Sequence, residues 1–444
     1  MKKFIETLKN IWKIEDLRER ILYTLGILLI YRLGTHVVLP GIDPSQLDQL
    51  KQQTSEGVLG LLDMFSGGAF SNASVFALGI MPYISASIVV QLLGIAVPYF
   101  QRLQREGESG RRKINQITRY LTIIILVLQA PAYLANLHAQ LPATAFVLKG
   151  TFFTISSVII LTSGTAFVMW LGERITDKGI GNGISLIIMI GIIARLPYAL
   201  FGEFISRLEE QGGGLVAFLV EIVLLFFVFV ATIMLVQGTR KIPVQYAKRV
   251  VGNKQYGGVR QYIPLKVNAA GVMPIIFAQA LMFLPLTVAG FADSESLSGF
   301  AATFSNYRGF WYNFTFFVMI IAFTYFYTAI VINPTQMAED IKKNSGFIPG
   351  VKPGKKTVEF LDSIMSRITL PGSIFLGIIA ILPAFAMIAG VNAQWAQFYG
   401  GTSLLILVGV ILDTLQQIES HLLMRHYDGL MKSGRIKGKG GGMI

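Results

Sequence analysis

The chain has no cysteine among its 444 residues. Disulfides and thiolate metal sites are therefore excluded, and the fold needs no oxidising compartment. Charge is scarce as well. Asp, Glu, Lys and Arg make up 14% of the sequence, where an ordinary soluble domain carries about 25%. The four histidines, His36, His138, His421 and His426, fall at no metal-ligand spacing. Nucleotide motifs fail on their intervals: GVKPGKKT (350–357) is one residue short of a phosphate loop, and GIGNG (179–183) has the wrong glycine spacing for a dinucleotide site. No catalytic constellation emerges. The sequence reads as a non-enzyme that needs no cofactor and no metal.

Apolar sequence is what the chain has in abundance. Hydrophobic residues are 53% of the total, and the mean hydropathy is +0.58. Ten runs are long enough to cross a hydrocarbon core of about 30 Å. They lie near 21–38, 73–99, 117–137, 151–171, 180–201, 215–236, 269–291, 311–332, 370–391 and 402–422. Alternating the loops between two sides places 32 of the 38 Lys and Arg on one of them. Excess Lys and Arg mark the cytoplasmic side, so both termini are expected there. Within residues 1–20, Ile5, Leu8, Ile11, Ile14 and Leu17 recur every three positions among charges. That spacing predicts an amphipathic helix on the cytoplasmic surface. This basic start before an apolar run imitates a signal peptide. The run is long enough to span, however, and no convincing small-residue cleavage site comes after it, so it is read as retained. The tail 423–444 reads as flexible and basic.

Ten spans divide into five and five. An odd number per half makes the second half enter from the opposite side, the pattern of an inverted repeat. The expected fold is therefore all-α and polytopic. It comprises an N-terminal half over 21–201, an outer loop with span six over 202–237, spans seven and eight over 269–332 and spans nine and ten over 370–422. Two long basic loops, 238–268 and 334–369, lie between them. Arg32, Glu221 and Asp413 are the clearest ionisable residues inside the spans, and neither acid has an evident partner in the sequence. A small-solute secondary transporter with inverted repeats is the competing reading. Such proteins place acidic groups or polar broken helices near the midplane, and few are found here. One local feature fits neither a span nor a loop. VLGLLDMF (58–65) ends at Ser66-Gly67-Gly68, covering less than half of the hydrocarbon core before a longer apolar run begins.

Several stretches, taken together, resemble one family. They are FSGGAFSNASVFALGIMPYISASIVVQLL (65–93), EGESGRRKINQITRY (106–120), WLGERITDKGIGNGISLIIMIGI (170–192), YAKRV (246–250), PLKVNAAGVMPIIF (264–277), GFIPGVKPGKKT (346–357) and GGTSLLILVGVILD (400–413). In this order they are similar to the SecY/Sec61-alpha family of protein-translocation channel subunits. The resemblance implies ten transmembrane helices in two pseudo-symmetric five-helix halves around a central pore, which passes unfolded secretory chains and releases membrane segments sideways into lipid. It implies a pore ring of Ile80, Ile84, Ile184, Ile188, Ile276 and Ile406; an apolar ring dewets when empty and deforms around a passing chain. The half-helix at about 59–70 would be a plug, with Leu61, Leu62, Met64 and Phe65 ahead of the hinge Gly67 and Gly68. Pro82, Gln91 and Pro274 would lie at a lateral gate. Arg240, Lys241, Lys248, Arg249, Lys254, Arg260, Lys352 and Lys355 would meet the ATPase SecA or ribosomal RNA. Lys352 stands where bacterial relatives often carry arginine. The implied partners are SecE, SecG, SecA, the ribosome, signal peptides and nascent chains, SecDF, YidC and membrane lipid. The implied location is the bacterial plasma membrane.

Overall fold

The computed structural model describes Trp12 and residues 14–432, apart from 48–49, 51–59, 61–62, 149, 209–212, 247–248, 252–253, 257–259, 280 and 283–307. Most of the expected amphipathic helix, part of span seven, Leu61, Leu62, Lys248 and residues 433–444 lie outside these. The main helices are α1 (Glu15–Gly34), α2 (Met81–Ala96), α3 (Pro98–Arg105), α4 (Glu108–Gln140), α5 (Thr151–Lys178), α6 (Gly183–Leu208), α7 (Gly214–Gln237), α8 (Phe310–Val331), α9 (Pro334–Lys343), α10 (Lys355–Ile388) and α11 (Gly401–Lys432). Seven helices among the described residues are long and apolar enough to cross a membrane. There are eight if Met81–Gly94 and Pro98–Gln104, bent by 100°, count as one span. The described residues thus do not display all ten expected spans. In α1 the charges Glu15, Asp16, Arg18, Glu19, Arg20 and Arg32 leave an uncharged stretch only from Ile21 to Tyr31.

Apolar content makes these helices. In α7 the only charged residue is Glu221, and the helix starts after Gly213, held at φ 79°. Leu219, Val223, Phe226 and Phe227 stay exposed on its surface, as expected of a helix that is apolar all round and faces lipid. At about 1.5 Å per residue, α4 and α10 are each about 50 Å long, so both extend well past a hydrocarbon core.

The chain forms two compact units, residues 1–195 with 409–444 and residues 196–408. In the first, Leu39, Phe70, Tyr133, Leu137, Phe146 and Phe153 belong to one buried apolar cluster. Short bridges Val38–Ser74 and Ile42–Phe146 tie its connecting segments together. Arg119 on α4 grips Glu173 on α5 through two hydrogen bonds of 2.7 Å. In the second, Ile275, Met282, Tyr312, Phe316, Leu376 and Leu405 belong to one core.

Two segments depart from the sequence reading. The helix of span two begins at Met81, while residues 75–80 form turns and Ser74 a bridge. Gly79 takes φ +54° and Ala73 φ 43°, conformations a helix does not accept. The basic segment 238–268 is a β-hairpin. Strand β1 (Thr239–Tyr246) pairs antiparallel with β4 (Arg260–Lys266), setting Ile242 opposite Ile263, and β5 (Gly346–Phe347) lies on its other edge. Strands β2 (Arg249–Val251) and β3 (Lys254–Tyr256) form a smaller hairpin between them.

Candidate functional site

The segment after the short apolar run is held from three sides within the first unit. Asp63, Met64 and Phe65 are helical, and turns begin at Ser66. Gly67 and Gly68 both adopt left-handed backbone, at φ +67° and +90°, which L-residues reach only at a cost. A Cβ on Gly67 would lie 2.9 Å from the Cα of Gly191. The segment and α6 therefore meet backbone to backbone, which two glycines allow. Three carbonyls of this turn are capped by side chains from two helices. The Tyr31 hydroxyl donates to Ser66 O at 3.1 Å, Arg32 Nη1 to Gly67 O at 2.6 Å, and the Tyr133 hydroxyl to Phe70 O at 3.0 Å. Turn carbonyls away from water need such partners.

A buried charge completes the seat. Asp63 is 1% exposed and forms an ion pair with Arg195 of α6. Its Oδ1 accepts from the Ser71 amide at 2.8 Å, and Arg195 Nη2 also donates to Ser71 Oγ at 3.2 Å. The sequence reading passed over Asp63 and Arg195. The available signal was one acid inside VLGLLDMF and one base inside IIARLPYAL.

The expected ring residues fall in both units. Ile80 caps α2 and is buried, and the Ile84 amide donates to its carbonyl at 3.1 Å, so the two stand one helical turn apart. On α6, Ile188 is buried and Ile184 half-buried, lying against Gly172 of α5. In the second unit Ile406 is buried on α11, and Ile276 is half-buried in the helical residues 273–279. Pro82 is buried in the first turn of α2. Gln91 further along is half-buried, with its Nε2 3.5 Å from Ser87 Oγ. Pro274 is buried in the first turn of its helix.

An internal repeat that the sequence reading missed links these positions. Gly-Ile-Met-Pro (79–82) and Gly-Val-Met-Pro (271–274) each open on a left-handed glycine, φ +54° and +63°, before a helix that starts at the methionine. Ile84 and Ile276 occupy the same place in the two copies.

The basic residues map to a small folded body in the second unit. Ile242, Val244 and Leu265 of the hairpin, Ile341 of α9, and Leu361 and Met365 of α10 share one core. Helix α9 is capped by Asn333, whose side chain accepts from Thr335 N and Gln336 N. Arg240, Lys241, Lys352 and Lys355 stand exposed on this body. Arg249, Lys254 and Arg260 lie on strands β2, β3 and β4. Two segments read from sequence as separate loops are thus one structure.

Glu221 corrects the sequence reading, which found it no partner. Helix α6 runs on to Leu208 and carries Arg207 to within 2.5 Å of the Glu221 carboxylate, while Arg207 Nε donates to Glu203 Oε1 at 2.8 Å.

Solved structures share this architecture. A structure of a protein-conducting channel superposes with a TM-score of 0.61 at 17% identity, covering 95% of both chains. Sec61 in a canine ribosome–channel complex from the endoplasmic reticulum gives a TM-score of 0.56 at 16% identity, covering 95% of both chains. The fold is that of the helical protein-conducting channels, an all-α polytopic membrane architecture. At the level of sequence, the SecY family model matches residues 74–415. The protein translocase subunit SecY of Streptomyces scabiei is 44% identical, over 95% of this chain and 98% of its own length. That of Mycobacterium tuberculosis strain H37Rv is 42% identical, over 97% and 99%. The chain belongs to the SecY family.

Proposed function

We infer that this protein is the central subunit of a protein-conducting channel, passing unfolded secretory polypeptides across a membrane and releasing membrane segments sideways into lipid. The observation that carries the reading is the 44% identity, across nearly the whole of both chains, to a protein translocase subunit. A small-solute transporter gains no support from these likenesses. The finer assignments come from the family. Ile80, Ile84, Ile184, Ile188, Ile276 and Ile406 would form the ring around the moving chain, and residues 59–70 the plug. Pro82, Gln91 and Pro274 would lie at the lateral exit. The chain has no nucleotide motif, so the driving energy must come from outside. The basic body bearing Arg240, Lys241, Lys352 and Lys355 suits SecA or ribosomal RNA phosphate, with SecE and SecG as companion subunits. Its setting would be the bacterial plasma membrane, with both termini cytoplasmic, where most Lys and Arg would lie.

The natural lack of cysteine makes a direct test available. A cysteine replaces Ile406, a secretory chain with one cysteine is stalled in membranes, and the disulfide between them is sought. A bond that requires a functional signal sequence places the moving chain at the ring. Export without a bond at Ile406, Ile84 or Ile188 would show the ring to be elsewhere.

A further inference from the structure

We propose that Asp63 and Arg195 form a latch that holds the plug segment in its seat, with Gly67-Gly68 as the hinge behind it. The proposal rests on the plug reading of residues 59–70. The hinge divides a fixed part of the chain from a movable one. Phe70, Ala73 and Ala77 are built into the apolar cluster with Tyr133 and Phe146, so the chain beyond the hinge is anchored. Ahead of the hinge, Met64 and Phe65 are buried without belonging to that cluster. A polar tie joins this part to the neighbouring helix: the Asp63–Arg195 pair, with the Ser71 amide and hydroxyl bridging its two ends.

Such a pair behaves differently from an apolar contact. Displacing the segment takes a buried carboxylate away from a guanidinium that is only partly exposed, so the closed seat is favoured until a competing group or water reaches Asp63. Arg32, bonded to the Gly67 carbonyl, sits at the hinge itself and stays in contact with Thr35 of its own chain segment. Arg195 is the group that must let go. The two residues are positioning residues for closure; neither need touch a translocating chain.

The test uses the full chain in its complex in membrane fragments. Met64→Cys, in the cysteine-free background, reports whether the segment is seated, through its labelling rate with a water-soluble maleimide. Asp63→Asn keeps the oxygen that accepts from the Ser71 amide and removes only charge; Arg195→Gln removes the partner. Each single variant is expected to raise the labelling rate at least tenfold. The double variant, Asp63→Asn with Arg195→Gln, should be no faster than the faster single, and Arg195→Lys should restore most of the protection. Wild-type rates in both singles, or effects that multiply in the double variant, would overturn the latch. A cysteine at the fully buried Leu137 must stay protected throughout; its labelling in the variants would mean that the pair holds the fold and not the segment. A stalled secretory chain separates the two readings. If it exposes Met64→Cys while Asp63→Asn does not, the latch fails and the plug stands. If nothing exposes that cysteine, both fail.

Discussion

Arg207 Nη2 lies 2.5 Å from Glu221 Oε1, and the same guanidinium holds Glu203 through its Nε at 2.8 Å. Both acids are buried. Further contacts run to the segment between α10 and α11: Arg207 donates to Gly390 O, Asn392 N donates to Glu203, and the Tyr399 hydroxyl donates to Glu221 O. One cation therefore serves two carboxylates and fastens a connection nearly two hundred residues away in sequence. The asymmetry decides what substitutions do. Arg207→Gln leaves two carboxylates buried together and should destabilise by about 3–5 kcal/mol. Glu221→Gln leaves Glu203 paired with Arg207 and removes a like charge, so its cost should stay well below that of Arg207→Gln. Thermal unfolding of the two purified variants distinguishes the cases, and equal losses would refute the asymmetry.

The backbone contact at Gly67 leads to a comparison between two glycines. Gly67 and Gly107 have nearly the same φ, +67° and +70°, but a Cβ on Gly107 meets nothing within 4 Å. Gly107, at ψ −133°, lies outside the left-handed helical well, so Gly107→Ala should cost its backbone strain alone, about 1–3 kcal/mol. Gly67→Ala adds a contact at 2.9 Å with the Gly191 backbone and should lower the unfolding midpoint further. Equal midpoints for the two variants would mean that the segment gives way easily at this point.

How far the sequence discloses this molecule varies from element to element. The apolar runs at 117–137, 151–171 and 215–236 lie within α4, α5 and α7, and the run 180–201 lies in α6 from Gly183 onward, because an uninterrupted apolar stretch has one solution in lipid, the helix. The start of α2 is hidden. Residues 73–80 are as apolar as the helix they precede, and only the backbone of Gly79 and the bridge from Ser74 to Val38 reveal turns. The hairpin is visible in part: Ile242 and Val244 alternate inward between exposed or half-buried neighbours, a period of two overshadowed by the charges around it. Glu221 looks unpaired in the sequence because the apolar run of span five ends at 201, less than two helical turns before Arg207. The Asp63–Arg195 pair joins residues more than a hundred positions apart, and no local pattern announces such a contact.

The exposed position of Arg240 and Lys241 on β1 separates binding from folding. The strand is held by its register with β4 and by the inward Ile242 and Val244, so Arg240→Gln with Lys241→Gln should leave the helices and the sheet intact. If ribosomal phosphate is the partner, the double substitution should weaken ribosome binding uniformly. It should also reduce the slope of log affinity against log salt by about one per lost contact. Sedimentation of reconstituted vesicles with ribosomes over a salt series measures this. An unchanged slope would remove these two side chains from the interface.

The shared core beneath that surface makes a last and separable prediction. Leu361 is 1% exposed, in the first turns of α10, and packs in one cluster with Ile242 and Val244 of the hairpin and Ile341 of α9. Leu361→Ala opens a cavity there and should cost about 2–5 kcal/mol. The loss falls on this body, because the cluster contains no residue from α4 to α8. Limited proteolysis should then cut within 238–268 and within 334–354 at rates that rise together, while the spans resist. Faster cutting in only one of the two segments would mean that they are not stabilised by a common core. The basic residues on each would then act as independent loops.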